Sequence, residues 1–139
     1  MNLSYRYIGL VLLFVPALCM AQGSKTLKKN NVISQTTLEY FLAEGQKDPV
    51  VEKVETYDEE GNVTEIKVFN RSGEVKQWEK FSYDEDGEMT EEQSLDEKGR
   101  ITERIEYTYE NKLVQEKRYF DQKDRLVKKK TYGYRYREE

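Results

Sequence analysis

The chain has 139 residues, 37% hydrophobic and 36% charged, with a formal charge of −4, a single Cys and no His. Without His, the commonest general base and metal ligand is missing, and an acidic balance disfavours a phosphate-neutralising surface, so no nucleic acid is expected as a partner. The length suits one domain. A mean hydropathy of −0.93 is low for a globular chain, yet Tyr, Phe, Val and Ile recur at ordered spacing, which argues against disorder.

In chain order, Arg6 precedes an apolar run from Ile8 to Leu18, interrupted by Pro16, and then Cys19-Met20-Ala21. A charged start, a short apolar core and small residues read as a secretory signal peptide over residues 1–21. The run falls short of the roughly 20 residues of a membrane span, so no transmembrane segment is expected after cleavage. Leu18 stands where a lipidated Cys19 would need a small residue, which favours cleavage after Ala21 without lipid. Localisation is then secreted, or periplasmic and envelope-associated. Cleavage removes the only Cys, leaving no disulfide, no thiol nucleophile and no thiolate metal site.

Residues 22–36, with Lys25, Lys28 and Lys29, lack periodicity and read as a flexible leader before a domain over 37–139. Between Thr36 and Leu42 two patterns compete. Thr36 and Glu39 have capping-box spacing, with Leu38, Phe41 and Leu42 on one helical face, whereas Leu38, Tyr40 and Leu42 alternate as in a strand. The strand is preferred, because it would pair with Val50–Tyr57 as a first hairpin.

From Tyr57 the chain repeats every 26 residues, with copies starting near 57, 83 and 109. Residues 57–82 and 83–108 are identical at seven positions, including the Tyr-Asp-Glu opening and both Gly. The third copy has lost two residues around Asn111 and gained one before Phe120. In each unit a large apolar residue is followed by Asp or Asn, then by Gly or Asp, then by another apolar residue. Asp58, Gly61, Gly73, Asp84, Gly87 and Gly99 are accordingly read as turn residues. The side-chain oxygen caps the turn, and Gly accepts positive φ. Arms of even length would put the apolar ends of every strand on one face. Glu65, Lys67, Glu91, Gln93, Gln115 and Lys117 would lie between those ends, with Ile66, Val68 and Trp78 on the opposite face. The fold class expected is all-β: one antiparallel meander sheet of about seven or eight strands built from hairpin repeats. A one-layer sheet leaves an aromatic face wet, so it should curl, pack on the N-terminal segment or meet another molecule.

The eight-residue segments Tyr57-Asp58-Glu59-Glu60-Gly61-Asn62-Val63-Thr64 and Tyr83-Asp84-Glu85-Asp86-Gly87-Glu88-Met89-Thr90 resemble the tyrosine–aspartate (Rhs-type) repeat. The whole chain is similar to small secreted proteins of Bacteroides-like bacteria that carry a few such repeats. Large members of the repeat family build shells around toxin domains or bind glycans, so the resemblance implies a β architecture and a surface role.

Candidate sites follow from what remains. Most carboxylates lie in turns, and no catalytic residue, metal site or cofactor is assigned. Asp84-Glu85-Asp86-Gly87-Glu88 lacks the remaining ligands of a calcium loop and reads as a hairpin turn. Asn62 and Asn70 head glycosylation sequons that also fall in turns. Trp78, flanked by Lys76 and Lys80, could stack on a sugar or peptide ring, or simply pack. Tyr107, Tyr109, Tyr132, Tyr134 and Tyr136 are expected on one face of neighbouring strands, with Arg135 beside them, as a basic aromatic surface for an acidic peptide, an anionic glycan or a second copy. Residues 22–110 carry a net charge of −10 and residues 111–139 carry +5, so self-association joins protein and glycan among the partner classes.

The function expected is a secreted, non-enzymatic binding or envelope-associated β module. A small carboxylate-dependent enzyme acting on polysaccharide and a strand-adding partner or inhibitor of another protein are the alternatives. Intact-mass analysis of the exported protein should give an N-terminus at Gln22 with no acyl group; an acylated Cys19 would refute the cleavage assignment.

Overall fold

The turns at 58–62, 70–74, 84–88, 96–100 and 121–125 are built alike. In each, the Asp or Asn side-chain oxygen accepts the backbone N–H groups two and four residues on, at 2.8–3.1 Å. The fourth residue donates its N–H back to the first residue's carbonyl at 2.9–3.0 Å. That fourth residue is Gly61, Gly73, Gly87 or Gly99, with φ between 79° and 81°, or Asp124 with φ 58°. A short carboxylate side chain tolerates this left-handed backbone, which is how Asp124 can stand where the other turns have Gly. The turn where two residues are missing is different. Asn111 and Lys112, both at positive φ, close Glu110 against Leu113 as a two-residue hairpin of the twist-matched kind.

These turns join the strands of a computed structural model that describes residues 23–45 and 48–137. The signal segment 1–21 and Gln22 lie outside the described residues. Helix α1 (Ser24–Lys29) is followed by β1 (Ser34–Glu39), a 3₁₀ turn at Leu42–Glu44, β2 (Val50–Tyr57), β3 (Val63–Phe69), β4 (Val75–Tyr83), β5 (Met89–Leu95), β6 (Ile101–Glu110), β7 (Leu113–Asp121) and β8 (Leu126–Thr131). All eight strands form one antiparallel meander in the order β1 to β8, with β1 and β8 as its edges. Among the described residues no helix is long and apolar enough to cross a membrane.

Two expectations are corrected. The leader is not featureless: six residues form α1, and β1 begins at Ser34, three residues before the expected domain start at 37. Leu27, 5% exposed, sits on Tyr57 and Val63, and with them makes the buried cluster against which Val32, Ile66 and Phe81 pack. A six-residue helix with one apolar side chain has no periodicity to read, so the sequence hides it.

The second correction concerns the faces. In every hairpin from β2–β3 to β7–β8 the pairing slips by one, because one residue near the start of the incoming strand is unpaired. It is the second residue at Thr64, Lys76, Thr90, Thr102 and Val127, and the third, Gln115, in β7 after its tighter turn. Each is a β-bulge, and it resets the alternation that an even arm length would carry through. Thr64 and Thr102 use the position, donating their hydroxyls to the Thr56 and Ser94 carbonyls at 3.3 and 3.1 Å. As a result Ile66 lies with Tyr57 and Val63, while Trp78 pairs with Lys67 on the other face. The two faces are called here the tyrosine face and the tryptophan face.

Gly87 stands at φ 81° with open space where a Cβ would go, so Gly87→Val should lower stability by more than about 1 kcal/mol through backbone strain alone. A Cβ on Gly61 would meet the Ser24 carbonyl at 2.3 Å, so Gly61→Ala should cost more than Gly87→Ala by also displacing α1. Urea midpoints of the three variants test both statements, and equal losses for the two Ala variants would deny the α1 contact.

Candidate functional site

On the tyrosine face, cross-strand register puts Phe81, Glu92, Ile105, Tyr119 and Lys128 in one row. Tyr107, Lys117 and Lys130 form the row beside it. The Tyr107 hydroxyl donates to the Glu92 carboxylate at 2.8 Å, and Lys117 lies over the Tyr107 ring at 4.7 Å. Lys128 and Lys130 lie over the Tyr119 ring at 3.8 and 5.7 Å. Burial, with the Glu92 carboxylate second, holds the Tyr107 hydroxyl in its neutral form far above the usual phenol range. Burial also raises Glu79, opposed by a hydrogen bond from Gln77 and reinforced by the charge of Glu92.

Three tyrosines share one further device. Tyr83 donates to the Val63 carbonyl at 2.8 Å, Tyr109 to Met89 at 2.8 Å and Tyr134 to Val114 at 2.5 Å, each reaching twenty residues back along the chain. Each ring stands at the end of one strand, or just beyond it for Tyr134, and clasps the start of the strand before it. The repeat thus needs Tyr at this position for a structural reason. Tyr57, the first of the series, lacks such a clasp: its hydroxyl meets side chains instead, Gln35 at 3.4 Å and the Glu55 carboxylate, and Leu27 of α1 packs on it.

The tyrosines named from the sequence therefore divide. Tyr107 and Tyr109 lie on β6, with β7 between them and β8, so they are not on a strand adjacent to the C-terminal ones. Tyr132, Tyr134, Tyr136 and Arg135 lie beyond β8, where one bond from the Tyr132 N–H to the Gln115 carbonyl continues the pairing. Tyr136 is 75% exposed and Arg135 is exposed. Tyr107 and Tyr109 thus stand two strands away from the segment that carries the other three rings.

On the tryptophan face, Trp78 donates its indole N–H to Glu65 at 2.7 Å, with Lys67 over the ring at 4.0 Å and Lys80 at 5.6 Å. Its outer ring atoms lie 3.2 Å from where a Cβ on Gly99 would be. Lys67 thus occupies a face that a sugar ring would need. Two strands on, Arg104 lies over Phe120 at 4.0 Å and binds Glu91 at 3.2 Å, Glu106, and Asp124 at 2.6 Å. The hydrogen bonds it donates to Asp124 first, then Glu106, hold its guanidinium charged. Arg118 and Lys129 continue this ionic row through Glu106 and Glu116.

Sequence reasoning missed Arg104, Glu92 and Tyr119. A signal did exist: the pairs Trp78–Glu65, Arg104–Glu91 and Lys129–Glu116 each span thirteen residues. The donors differ in chemistry, so identity between repeats does not reveal them. At the turns, Arg125 and the Asp121 carboxylate pair closely, which holds Asp121 down at about 2. The backbone and side chain of Arg100 hold Asp96 low in the same way.

No protein-family model and no curated protein matches the chain.

The Tyr83 hydroxyl is pushed up to about 12, by burial first and then by Asp58, Glu92 and Tyr109. A raised phenol stabilises the fold fully below its unfolded value of ~10, and that contribution is lost as pH rises toward the folded value. Tyr83→Phe should therefore lower stability at neutral pH by about 1 kcal/mol, the size of one net hydrogen bond. It should also flatten the loss of stability between about pH 10 and 12. Urea unfolding across that range measures both, and an unchanged alkaline slope would deny the clasp.

Proposed function

We propose that this chain is a secreted, envelope-associated β-repeat module that binds a protein or glycan and catalyses no reaction. The observation that carries the reading is the accessibility of its surface. Among the described residues only Leu27, Tyr57 and Val63 are buried apolar side chains, while Ile33, Leu42, Val127 and Tyr136 are 61–77% exposed. A one-layer sheet spends little of its side-chain surface on a core, which leaves both faces open to a partner.

A second reading, strand addition, is favoured by the contrast between the two sheet edges. Edge β8 carries Lys128, Lys129 and Lys130, the usual guard against edge pairing. Edge β1 reads Ser34-Gln35-Thr36-Thr37-Leu38 before its single charge at Glu39. An extended partner segment would add at β1 with its backbone and use the face only at the margin.

Residues 22–139, tagged, are to be mixed with envelope protein and wall polysaccharide fractions of the source cells, following saturable co-sedimentation and release of reducing sugar together. Saturable binding without sugar release is expected. Turnover of polysaccharide that disappears in Glu92→Gln would overturn the non-enzymatic reading. Gln35→Lys and Thr37→Lys distinguish the two binding modes, abolishing strand addition and leaving face binding unchanged.

A further inference from the structure

The repeats build the same niche three times on the tryptophan face, and in one of them the occupant is missing. In the second copy, Trp78 lies across from Leu95 and against Gly99. In the third, displaced by 26 and 25 residues, Arg104 lies over Phe120 and is held by Asp124, the turn residue that replaces Gly99. In the first copy the corresponding floor is Phe69 and the corresponding turn residue is Gly73. The pairing of β2 with β3, Lys53 to Val68, matches that of β4 with β5, Glu79 to Ser94, at the same 26-residue displacement. The residue at the occupant's position is therefore Glu52, which is exposed and is passed over in the β1–β2 pairing.

The space is real. Nothing lies within 4 Å of a Cβ built on Gly73, whereas Gly99 has the Trp78 ring there. Val50, Val51, Val54, Phe69 and Gly73 line a groove of about 500 Å³, bounded by Arg71. Arg71 is engaged elsewhere, its guanidinium over the Phe41 ring at 3.6 Å and paired with Glu44.

We propose that this groove receives the indole of a tryptophan carried on an extended segment of a partner protein. The proposal deepens the binding-module reading and rests on it. The turn residue decides between the two side chains the fold itself uses. Where the occupant is Arg, the turn supplies Asp; where it is Trp, the turn supplies Gly, and the groove has Gly73. A guanidinium would enter an apolar site without the turn carboxylate that Asp124 gives Arg104. A polypeptide rather than a free ring is indicated by what surrounds the groove. Leu38, which pairs with Val51, and Tyr40 and Leu42, which flank Phe41, are 47%, 53% and 77% exposed. One indole buries about 150–250 Å², which leaves that apolar margin uncovered, whereas an extended segment would cover it.

The test uses the mature chain, labelled for NMR, and three probes: a capped pentapeptide with a central tryptophan, its counterpart with a central arginine, and N-acetyl-tryptophanamide. The tryptophan peptide should shift the Phe69 and Gly73 resonances saturably. N-acetyl-tryptophanamide should bind about tenfold more weakly, lacking the flanking contacts. The arginine peptide should not bind. Glu52→Trp places the occupant in the chain itself; its added indole should emit as a buried one, raise the urea midpoint and abolish peptide binding. Should that variant fail to fold, Gly73→Asp reproduces the turn of Asp124 and should reverse the preference from the tryptophan to the arginine peptide. A solvated indole in a folded Glu52→Trp, arginine binding as tight as tryptophan, or an unaltered preference in Gly73→Asp would overturn the proposal. Envelope binding that persists in Glu52→Trp while the tryptophan peptide fails to bind wild type would overturn the niche and leave the module reading standing. Specific peptide binding without any envelope binding would support the niche and count against the envelope assignment.

Discussion

An Asp or Asn side-chain oxygen held between two backbone N–H groups is the interaction on which the rest of this sheet depends. It fixes the turn, the left-handed residue that follows fixes the strand exit, and the unpaired residue after that fixes the register. With register set locally at each hairpin, a core is not needed to align the strands. That is how a sheet with only three buried apolar residues among those described can still place its side chains in ordered rows.

Those rows take over work that a core would do. Along the tryptophan face, cations lie over Trp78 and Phe120 and carboxylates close the gaps between Lys67, Arg104 and Arg118. Along the tyrosine face, lysines cover Tyr107 and Tyr119. Each such contact is worth roughly 0.5–1 kcal/mol where water reaches it, so the sheet is held by many small contributions. The clasps of Tyr83, Tyr109 and Tyr134 tie strand pairs at one end of the sheet, and α1 substitutes for the clasp that Tyr57 lacks.

The fold was legible in the sequence to the extent that it is written in turns. Asp58, Gly61, Asp84 and Gly87 stand at fixed spacing because turn chemistry demands those residue types, and the eight-strand meander follows from them. The faces were not legible, since a bulge can be occupied by Thr64, Lys76 or Val127 alike. Nor was the sharing of one niche by Trp78 and Arg104, because the fold conserves the shape of a planar side chain rather than its chemistry. At the tyrosines one spacing serves two ends: a spacing that suits an exposed aromatic surface also suits a backbone clasp.

The strand order has a mechanical consequence. Every strand pairs only with its neighbours in the chain, so no strand is held at both ends of the sequence by distant segments. Tension applied between the two termini would act across the hydrogen bonds of one hairpin at a time, opening them like a zip instead of shearing a whole sheet at once. A module of this kind yields gradually, releasing one hairpin's length of chain per step, and re-forms each hairpin from contacts near in sequence, which close quickly. It can act as an extensible element between whatever is fastened to its ends.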